Sequence, residues 1–142
     1  MKFSHKEFIA GNNVDIELLD DLCLVIGDSG IGKTYVATMM KTICYKENRR
    51  FIYLSGEDNE DSIVAVLKAN SEYDDAIVVL DDADTCNSKR VIDALGEFRG
   101  MKIIVLKYTY DFEEVAHNTV GYYAVRFKDN TIKLIRSRRC EI

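Results

Sequence analysis

A glycine-rich segment that ends in Lys and Thr is the part of the chain best suited to chemistry. Residues 27–34 read Gly-Asp-Ser-Gly-Ile-Gly-Lys-Thr and follow the apolar run Leu22–Ile26. Glycines let a turn wrap its N–H groups around an anion, and a helix that begins there adds partial positive charge. The ammonium group of Lys33 can then reach the outer phosphates of a nucleotide, and the Thr34 hydroxyl can ligate Mg²⁺. The residues predicted to contact the nucleotide are Gly27, Asp28, Ser29, Gly30, Ile31, Gly32, Lys33, Thr34 and Tyr35.

An apolar run that ends in two acids is the second chemical signal. Residues 76–80 are all apolar and lead directly into Asp81 and Asp82. A phosphoryl-transfer site needs a carboxylate opposite the phosphate-binding turn to hold Mg²⁺ through water, and the tip of a neighbouring buried strand provides that position. One predicted strand, 51–54, lies between Lys33 and these acids along the chain. We therefore predict that Asp81 holds the metal together with Thr34.

The elements that must position these residues alternate between apolar runs and helix-period segments. This alternation indicates an α/β fold with a mainly parallel sheet. The helix that follows the glycine-rich turn carries its apolar side chains on one face, at Val36, Met40, Ile43 and Cys44. The predicted strands are 22–26, 51–54, 76–80, 102–106 and 122–127, with a hairpin partner at 131–136.

Shorter signals mark the ends of other elements. The alternation in Val14–Leu18 predicts an extra edge strand. Asp58 or Asn59 is expected to cap the second helix, and Asn87 the third. A short helix is expected around Phe112–His117.

Residues 22–34 and 76–82 together resemble the P-loop NTPases, specifically the branch with an added strand between the phosphate-loop strand and the magnesium-acid strand. That branch includes the recombinase-like and AAA-type ATPases. The segments 51–58 and 102–109 match it loosely, so the resemblance reaches most of the chain. It implies one three-layer P-loop domain over residues 1–142, with the strands in the order 5-1-4-3-2 when counted from the strand before the loop, and a C-terminal β-hairpin. It also implies ATP and Mg²⁺ as cofactors.

Two acids are candidates for orienting the water that attacks the γ-phosphate. In this branch a Glu commonly follows the magnesium acid, and here that place holds Asp82, which is one methylene shorter. The rival is Glu57, because Phe51–Asp58 is similar to the second strand of recombinase-like ATPases, where a Glu just past the strand serves as catalytic base. A structural interpretation stays open for both, since Glu57 suits a first helical turn and Asp82 a strand-end turn. The catalytic residues that the resemblance implies are Lys33, Asp82 and Glu57.

Hydrolysis in such enzymes is usually fast only when an arginine reaches the γ-phosphate from a neighbouring subunit or partner. The segment 111–121, where AAA-type proteins tend to carry it, contains no arginine. Recombinase-like ATPases can supply cations from a C-terminal hairpin, where Arg136, Arg138 and Arg139 stand here, although a solvated basic tail is the simpler interpretation. A homo-oligomer or a protein partner that supplies such an arginine is therefore expected.

Thr109 occupies the place of a γ-phosphate sensor or is a structural strand-end residue.

Composition limits the class of protein. The chain has 142 residues, of which 47% are hydrophobic, and a net charge of −5, which suits one globular domain. Nucleic-acid binders usually carry a basic surplus, so nucleic acid is not indicated as a partner. No apolar run approaches the ~20 residues that span a bilayer, and the N-terminus does not resemble a signal peptide. Four cysteines without C-x-x-C pairing favour reduced thiols, and we expect a cytoplasmic protein with no membrane contact.

Three functions fit these residues. The first is a Mg²⁺-dependent ATP-binding protein that hydrolyses ATP slowly as a minimal motor or switch core. The second is a nucleotide-responsive binding module with negligible turnover, which Asp82 in place of Glu favours. A small-molecule kinase ranks lowest, because the arginines form no recognisable acceptor motif. ATP is preferred over GTP because the sequence has no N-K-x-D motif for reading guanine.

Overall fold

The computed structural model describes residues 3–9, 11–26, 34–107, 112–117, 119–128 and 130–137. The strands are β1 (Phe3–Ile9), β2 (Asn12–Leu18), β3 (Leu22–Ile26), β4 (Phe51–Ser55), β5 (Ile77–Asp81), β6 (Met101–Leu106), β7 (Val120–Lys128) and β8 (Thr131–Ser137). The helices are α1 (Thr34–Lys46), α2 (Glu60–Ala69) and α3 (Lys89–Glu97), with short 3₁₀ turns at Ala83–Thr85 and Phe112–Val115. None of the described helices has the length and apolarity needed to cross a membrane.

The described strands form one mixed sheet of eight strands in the order β1-β2-β8-β7-β3-β6-β5-β4. Neighbours from β7 to β4 in this order are parallel, and so are β2 and β8. The pairs β1–β2 and β7–β8 are antiparallel. The strands β3, β6, β5 and β4 therefore end along one side of the sheet, called the carboxyl edge below, at Ile26, Leu106, Asp81 and Ser55.

Side-chain alternation divides the core between the two faces of the sheet. Ile77 and Val79 of β5 belong to the cluster that packs against α1, whereas Val78 and Leu80 belong to the cluster under α2 and α3. All four side chains are buried, as expected for a strand covered on both faces. The predicted apolar face of α1 is also buried, at Val36, Met40, Ile43 and Cys44. The face of the sheet that α1 covers is called the α1 face below.

The N-terminal hairpin differs from the prediction. The expected edge strand Val14–Leu18 lies within β2, which is an interior strand between β1 and β8. The edge is formed by β1, which the sequence analysis missed. The apolar alternation of β1 is a weak signal because polar and apolar side chains share its inward face. One of these polar side chains, Glu7, forms an ion pair with Lys46 of α1 at 2.8 Å.

Helix caps were predicted to within one residue. Asn59 caps α2, because its side-chain oxygen accepts the backbone N–H of Asp61 at 2.8 Å. The expectation of Asn87 as the cap of α3 is wrong. Ser88 is the N-cap, and its hydroxyl oxygen accepts the backbone N–H of Val91 at 3.4 Å.

Polar side chains tie the C-terminal hairpin to the amino end of β3. Asp20 is 3% exposed, and its carboxylate accepts hydrogen bonds from the Tyr123 hydroxyl at 2.7 Å and from Nε of Arg136 at 3.1 Å. Arg136 is therefore an ion-pair partner at the end of the sheet opposite the carboxyl edge, which corrects its interpretation as part of a solvated tail. Arg138 and Arg139 lie outside the described residues.

Candidate functional site

Asp81 ends β5 at the carboxyl edge, between the ends of β4 and β6. Its side chain is half-buried and lies on the α1 face, following the alternation of Ile77 and Val79. One carboxylate oxygen, Oδ1, accepts the backbone N–H of Asp82 at 2.9 Å, and the other, Oδ2, accepts the hydroxyl of Tyr53 at 3.2 Å. A donor on each oxygen fixes the plane of the carboxylate.

A cavity of about 460 Å³ opens beside this carboxylate, between α1 and the edge strand β4. Its lining residues are Ala37, Thr38, Lys41, Phe51, Tyr53 and Asp81. The wall combines aliphatic and aromatic surface with one cation and one carboxylate. Asp81 therefore faces open space on the same side of the sheet as the helix that follows the glycine-rich segment.

The arrangement suits a magnesium ion that is shared with phosphate groups. Mg²⁺ keeps several waters and takes one or two protein carboxylates, rather than a complete cage of protein ligands. Asp81 supplies one oriented carboxylate, and within the described ranges no cluster of three or more His, Cys, Asp or Glu residues could hold a metal by itself. Thr34 is the first residue of α1, but its side chain lies outside the described part of the chain.

Gly56 brings the ends of β4 and β5 together. Its N–H donates to the Asp81 carbonyl oxygen at 2.6 Å, and a Cβ at this position would collide with the carbonyl oxygen of Asp82. The chain can approach this closely only where there is no side chain. As a consequence Glu57 and Asp82, the two candidate bases, emerge at the same edge, and both are exposed.

Asp82 has a left-handed backbone, with φ 51° and ψ 44°. Thr85 holds it there, because its N–H and its hydroxyl both donate to the Asp82 carbonyl oxygen, at 3.3 Å and 2.9 Å. Asp is one of the few residues other than glycine that adopt this conformation readily. The side chain of Asp82 takes part in neither hydrogen bond.

Glu57 lies in the turn after β4 and not in a helix, since α2 begins at Glu60. The acids in the first turn of α2 are Glu60 and Asp61, whose negative charges interact favourably with the positive end of the helix dipole. The backbone N–H of Glu57 donates to the Ser55 hydroxyl at 3.2 Å. The interpretation of Glu57 as a first-turn acid is therefore wrong, and the residue lies in the turn at the carboxyl edge.

Asp84 connects the turn after β5 to the end of β6. One of its carboxylate oxygens accepts the backbone N–H of Lys107 at 2.7 Å. Lys107 directly precedes residues 108–111, which include Thr109 and lie outside the described residues. Asp84 thus has a structural role, because it holds the start of this segment against the turn after β5.

Seven of the nine residues predicted to contact the nucleotide lie outside the described residues. They are Gly27, Asp28, Ser29, Gly30, Ile31, Gly32 and Lys33. Their flanks are described: β3 ends at Ile26 and α1 begins at Thr34, on the face where Asp81 lies. Tyr35 is half-buried and packs against the core of the α1 face.

Two residues of the site were not anticipated. Tyr53 lies on the α1 face of β4 with Phe51, and this period-2 spacing, together with an acid at the end of the next strand, is the signal that could have identified it. Gly56 gave no signal beyond that of an ordinary turn glycine, because its close contact is with a residue distant in sequence.

A model of the AAA family, the ATPase family associated with various cellular activities, matches residues 23–141. The chain belongs to this family. As an AAA domain it is a member of the P-loop NTPase superfamily, with a nucleotide-binding, ATPase-type function.

The chain is similar to two solved structures of distant proteins, and the first of them supports the fold. The genome packaging NTPase B204 from Sulfolobus turreted icosahedral virus 2, in complex with ATPγS, has a TM-score of 0.53 and 15% identity over 76% of this chain and 74% of that chain. The KaiC-like protein PH0186 from Pyrococcus horikoshii OT3 has a TM-score of 0.43 and 11% identity over 94% of this chain and 85% of that chain. No curated protein matches the chain.

Proposed function

We propose that this AAA domain binds ATP together with Mg²⁺ and hydrolyses it slowly, as a minimal motor or switch core. The observation that carries the proposal is the oriented carboxylate of Asp81 on the α1 face, at the edge where residues 27–34 lead from β3 into α1. The order β7-β3-β6-β5-β4 corresponds to the order 5-1-4-3-2 of the additional-strand branch, which supports assignment to that branch.

The chain's own residues have separate roles in this proposal. The N–H groups of residues 27–34 and the ammonium of Lys33 bind the phosphates, and Thr34 and Asp81 hold the metal. When bound, Mg²⁺ neutralises charge that develops on the transferred phosphoryl group. Asp82 or Glu57 orients the attacking water and accepts its proton.

Nucleotide binding can be tested directly with a fluorescent ATP analogue, titrated with Mg²⁺ and with EDTA. Lys33→Ala should weaken binding in both conditions, because it removes a cation from the phosphates. Asp81→Asn should weaken only the Mg²⁺-dependent part, by about tenfold or more. Lys68→Ala and Asp93→Asn are matched controls on exposed helix positions and should bind like the wild type. A wild-type protein without any Mg²⁺-dependent affinity for nucleoside triphosphates would contradict the proposal.

Phosphate release then separates hydrolysis from binding and identifies the base. Wild type, Asp82→Asn and Glu57→Gln are compared over a range of protein concentrations. Loss of turnover in only one of the two variants assigns the base to that residue. A specific rate that rises with concentration indicates assembly, with an arginine supplied by a second copy.

A nucleotide-responsive binding module is the second candidate, because Asp82 is shorter than the usual Glu and has its backbone held away from the extended form. It predicts Mg²⁺-dependent binding with phosphate release at background in every condition. Formation of ADP without free phosphate, on addition of a small acceptor, would instead indicate a kinase.

A further inference from the structure

Tyr53 lies on the edge strand β4 and contacts Asp81 on the neighbouring strand. It is 48% exposed, yet its ring lines the cavity beside α1 and its hydroxyl reaches a carboxylate on the next strand. In the strand register Tyr53 pairs with Val79, and Asp81 pairs with Ser55. The hydrogen bond is therefore a diagonal one, which a tyrosine is long enough to make.

The hydrogen bond from Tyr53 restricts the rotation of the Asp81 carboxylate about its Cβ–Cγ bond. With only the Asp82 N–H on Oδ1, the Asp81 carboxylate would be held at one oxygen and free to turn about its last bond. The Tyr53 hydroxyl, 3.2 Å from Oδ2, holds the second oxygen from the β4 side. Each carboxylate oxygen accepts one of these two donors, and its remaining lone pairs can bind water or a metal.

The direction of this hydrogen bond follows from the two groups. A carboxylate can only accept hydrogen bonds, so the phenol hydroxyl of Tyr53 is the donor and Asp81 the acceptor.

We propose that Tyr53 is a positioning residue that orients the Asp81 carboxylate for the Mg²⁺–nucleotide complex. The inference rests on the proposed function, because it assigns Asp81 to the metal. Without the hydroxyl the carboxylate samples other rotations, and each Mg²⁺ that binds must first restore the productive one. Affinity for Mg²⁺ in the presence of nucleotide should therefore fall, while affinity for nucleotide without metal should not.

The test is a Mg²⁺ titration of the full chain with a fluorescent ATP analogue, for wild type, Tyr53→Phe and Tyr73→Phe. Tyr73 is 42% exposed and loses the same hydroxyl, so it controls for a simple change of surface. Tyr53→Phe should raise the Mg²⁺ concentration for half-maximal binding by about three- to tenfold, the range for one ordinary hydrogen bond. Binding in EDTA and the melting temperature should stay at wild-type values.

A double-mutant cycle with Asp81→Asn completes the test, because a residue that acts through Asp81 has no further effect once that carboxylate is gone. Equal Mg²⁺ dependence of Tyr53→Phe and wild type would overturn the inference even if Asp81→Asn is defective. An effect of Tyr53→Phe that persists in the Asp81→Asn background would also overturn it. Failure of the proposed function looks different, since wild type itself would then show no Mg²⁺-dependent binding.

Discussion

Replacing the buried Lys102 with methionine should stabilise the protein near neutral pH, and the gain should disappear in alkali. The Lys102 side chain is 0% exposed in β6, and its ammonium donates to the Val115 carbonyl oxygen at 2.9 Å. Burial lowers the pKa of Lys102 from 10.5 to about 8, and the negative charge of Asp21 opposes this shift only in part. The folded protein therefore holds this proton less tightly than the unfolded chain does.

The size of the effect follows from the two pKa values. A pKa lowered from 10.5 to about 8 corresponds to about 3 kcal/mol of lost stability. This cost is fully present below the folded-state pKa of Lys102, and it fades as the pH rises to the unfolded-state pKa, because the unfolded chain binds more protons in that window. Methionine removes the cost but leaves the Val115 carbonyl without its donor, a loss of about 1–2 kcal/mol. The expected net gain near pH 7 is about 1–2 kcal/mol, and about 2 kcal/mol of the wild-type penalty is gone by about pH 9.5.

Urea unfolding of wild type and Lys102→Met at about pH 7 and about pH 9.5 measures this difference. Burial also raises the pKa of three thiols, which lowers stability in alkali, but this contribution is common to both proteins and cancels. Lys68→Met, on the exposed side of α2, is the control and should stay within about 0.5 kcal/mol of wild type. A variant less stable than wild type near pH 7, or a difference that does not change with pH, would refute the assignment of a desolvated ammonium.

Three further predictions concern stability and reactivity. Gly56→Ala should lower the free energy of unfolding, measured in urea, by about 1–3 kcal/mol, because the new Cβ would meet the Asp82 carbonyl. Gly96→Ala in α3 is the control, since a Cβ there has open space and should not destabilise the protein. Equal effects of the two substitutions would contradict the close approach at Gly56. Asp20→Asn should cost about 1–3 kcal/mol, since it removes the buried charge that pairs with the exposed Arg136 and accepts from the buried Tyr123, while Asp93→Asn stays near wild type. Burial raises the pKa of the described thiols to about 11 or 12, so a thiol reagent at about pH 8 should modify them in urea and not in the native protein, and rapid native modification would count against their burial. These thiols belong to Cys23, Cys44 and Cys86.

The parts of the fold that the sequence predicted well are those with an unambiguous hydrophobic pattern. The strand Ile77–Asp81 is apolar up to its last residue because both of its faces are covered. The helix Thr34–Lys46 has one apolar stripe because only one side packs on the sheet. By contrast, β1 buries its ends but directs Glu7 toward Lys46, and such an ion pair has no signature in hydrophobic periodicity.

The sequence predicted those site residues whose roles follow from the residues next to them in the chain. It did not predict those whose roles depend on contacts with distant segments. Asp81 follows a strong strand signal, and the structure has it at the end of β5. Tyr53 contacts Asp81, 28 positions away, and Gly56 contacts Asp82 in the same distant turn, so their roles depend on the register between β4 and β5. The same holds for Asp84, whose partner Lys107 belongs to a different strand end.

The left-handed conformation at residue 82 gives a physical reason for an aspartate where this branch commonly has glutamate. A left-handed residue costs about 1–2 kcal/mol for most side chains, but Asp and Asn lower that cost with a short polar side chain. Thr85 fixes the conformation through the Asp82 carbonyl, and Gly56 packs against the same carbonyl group. The backbone at this position therefore favours Asp over Glu, whatever its catalytic role. The shorter side chain has this conformational explanation as well as the one offered by the binding-module candidate. Because the Asp82 side chain makes no cap hydrogen bond in the turn, the Asp82→Asn variant should keep the backbone arrangement and test the chemistry alone.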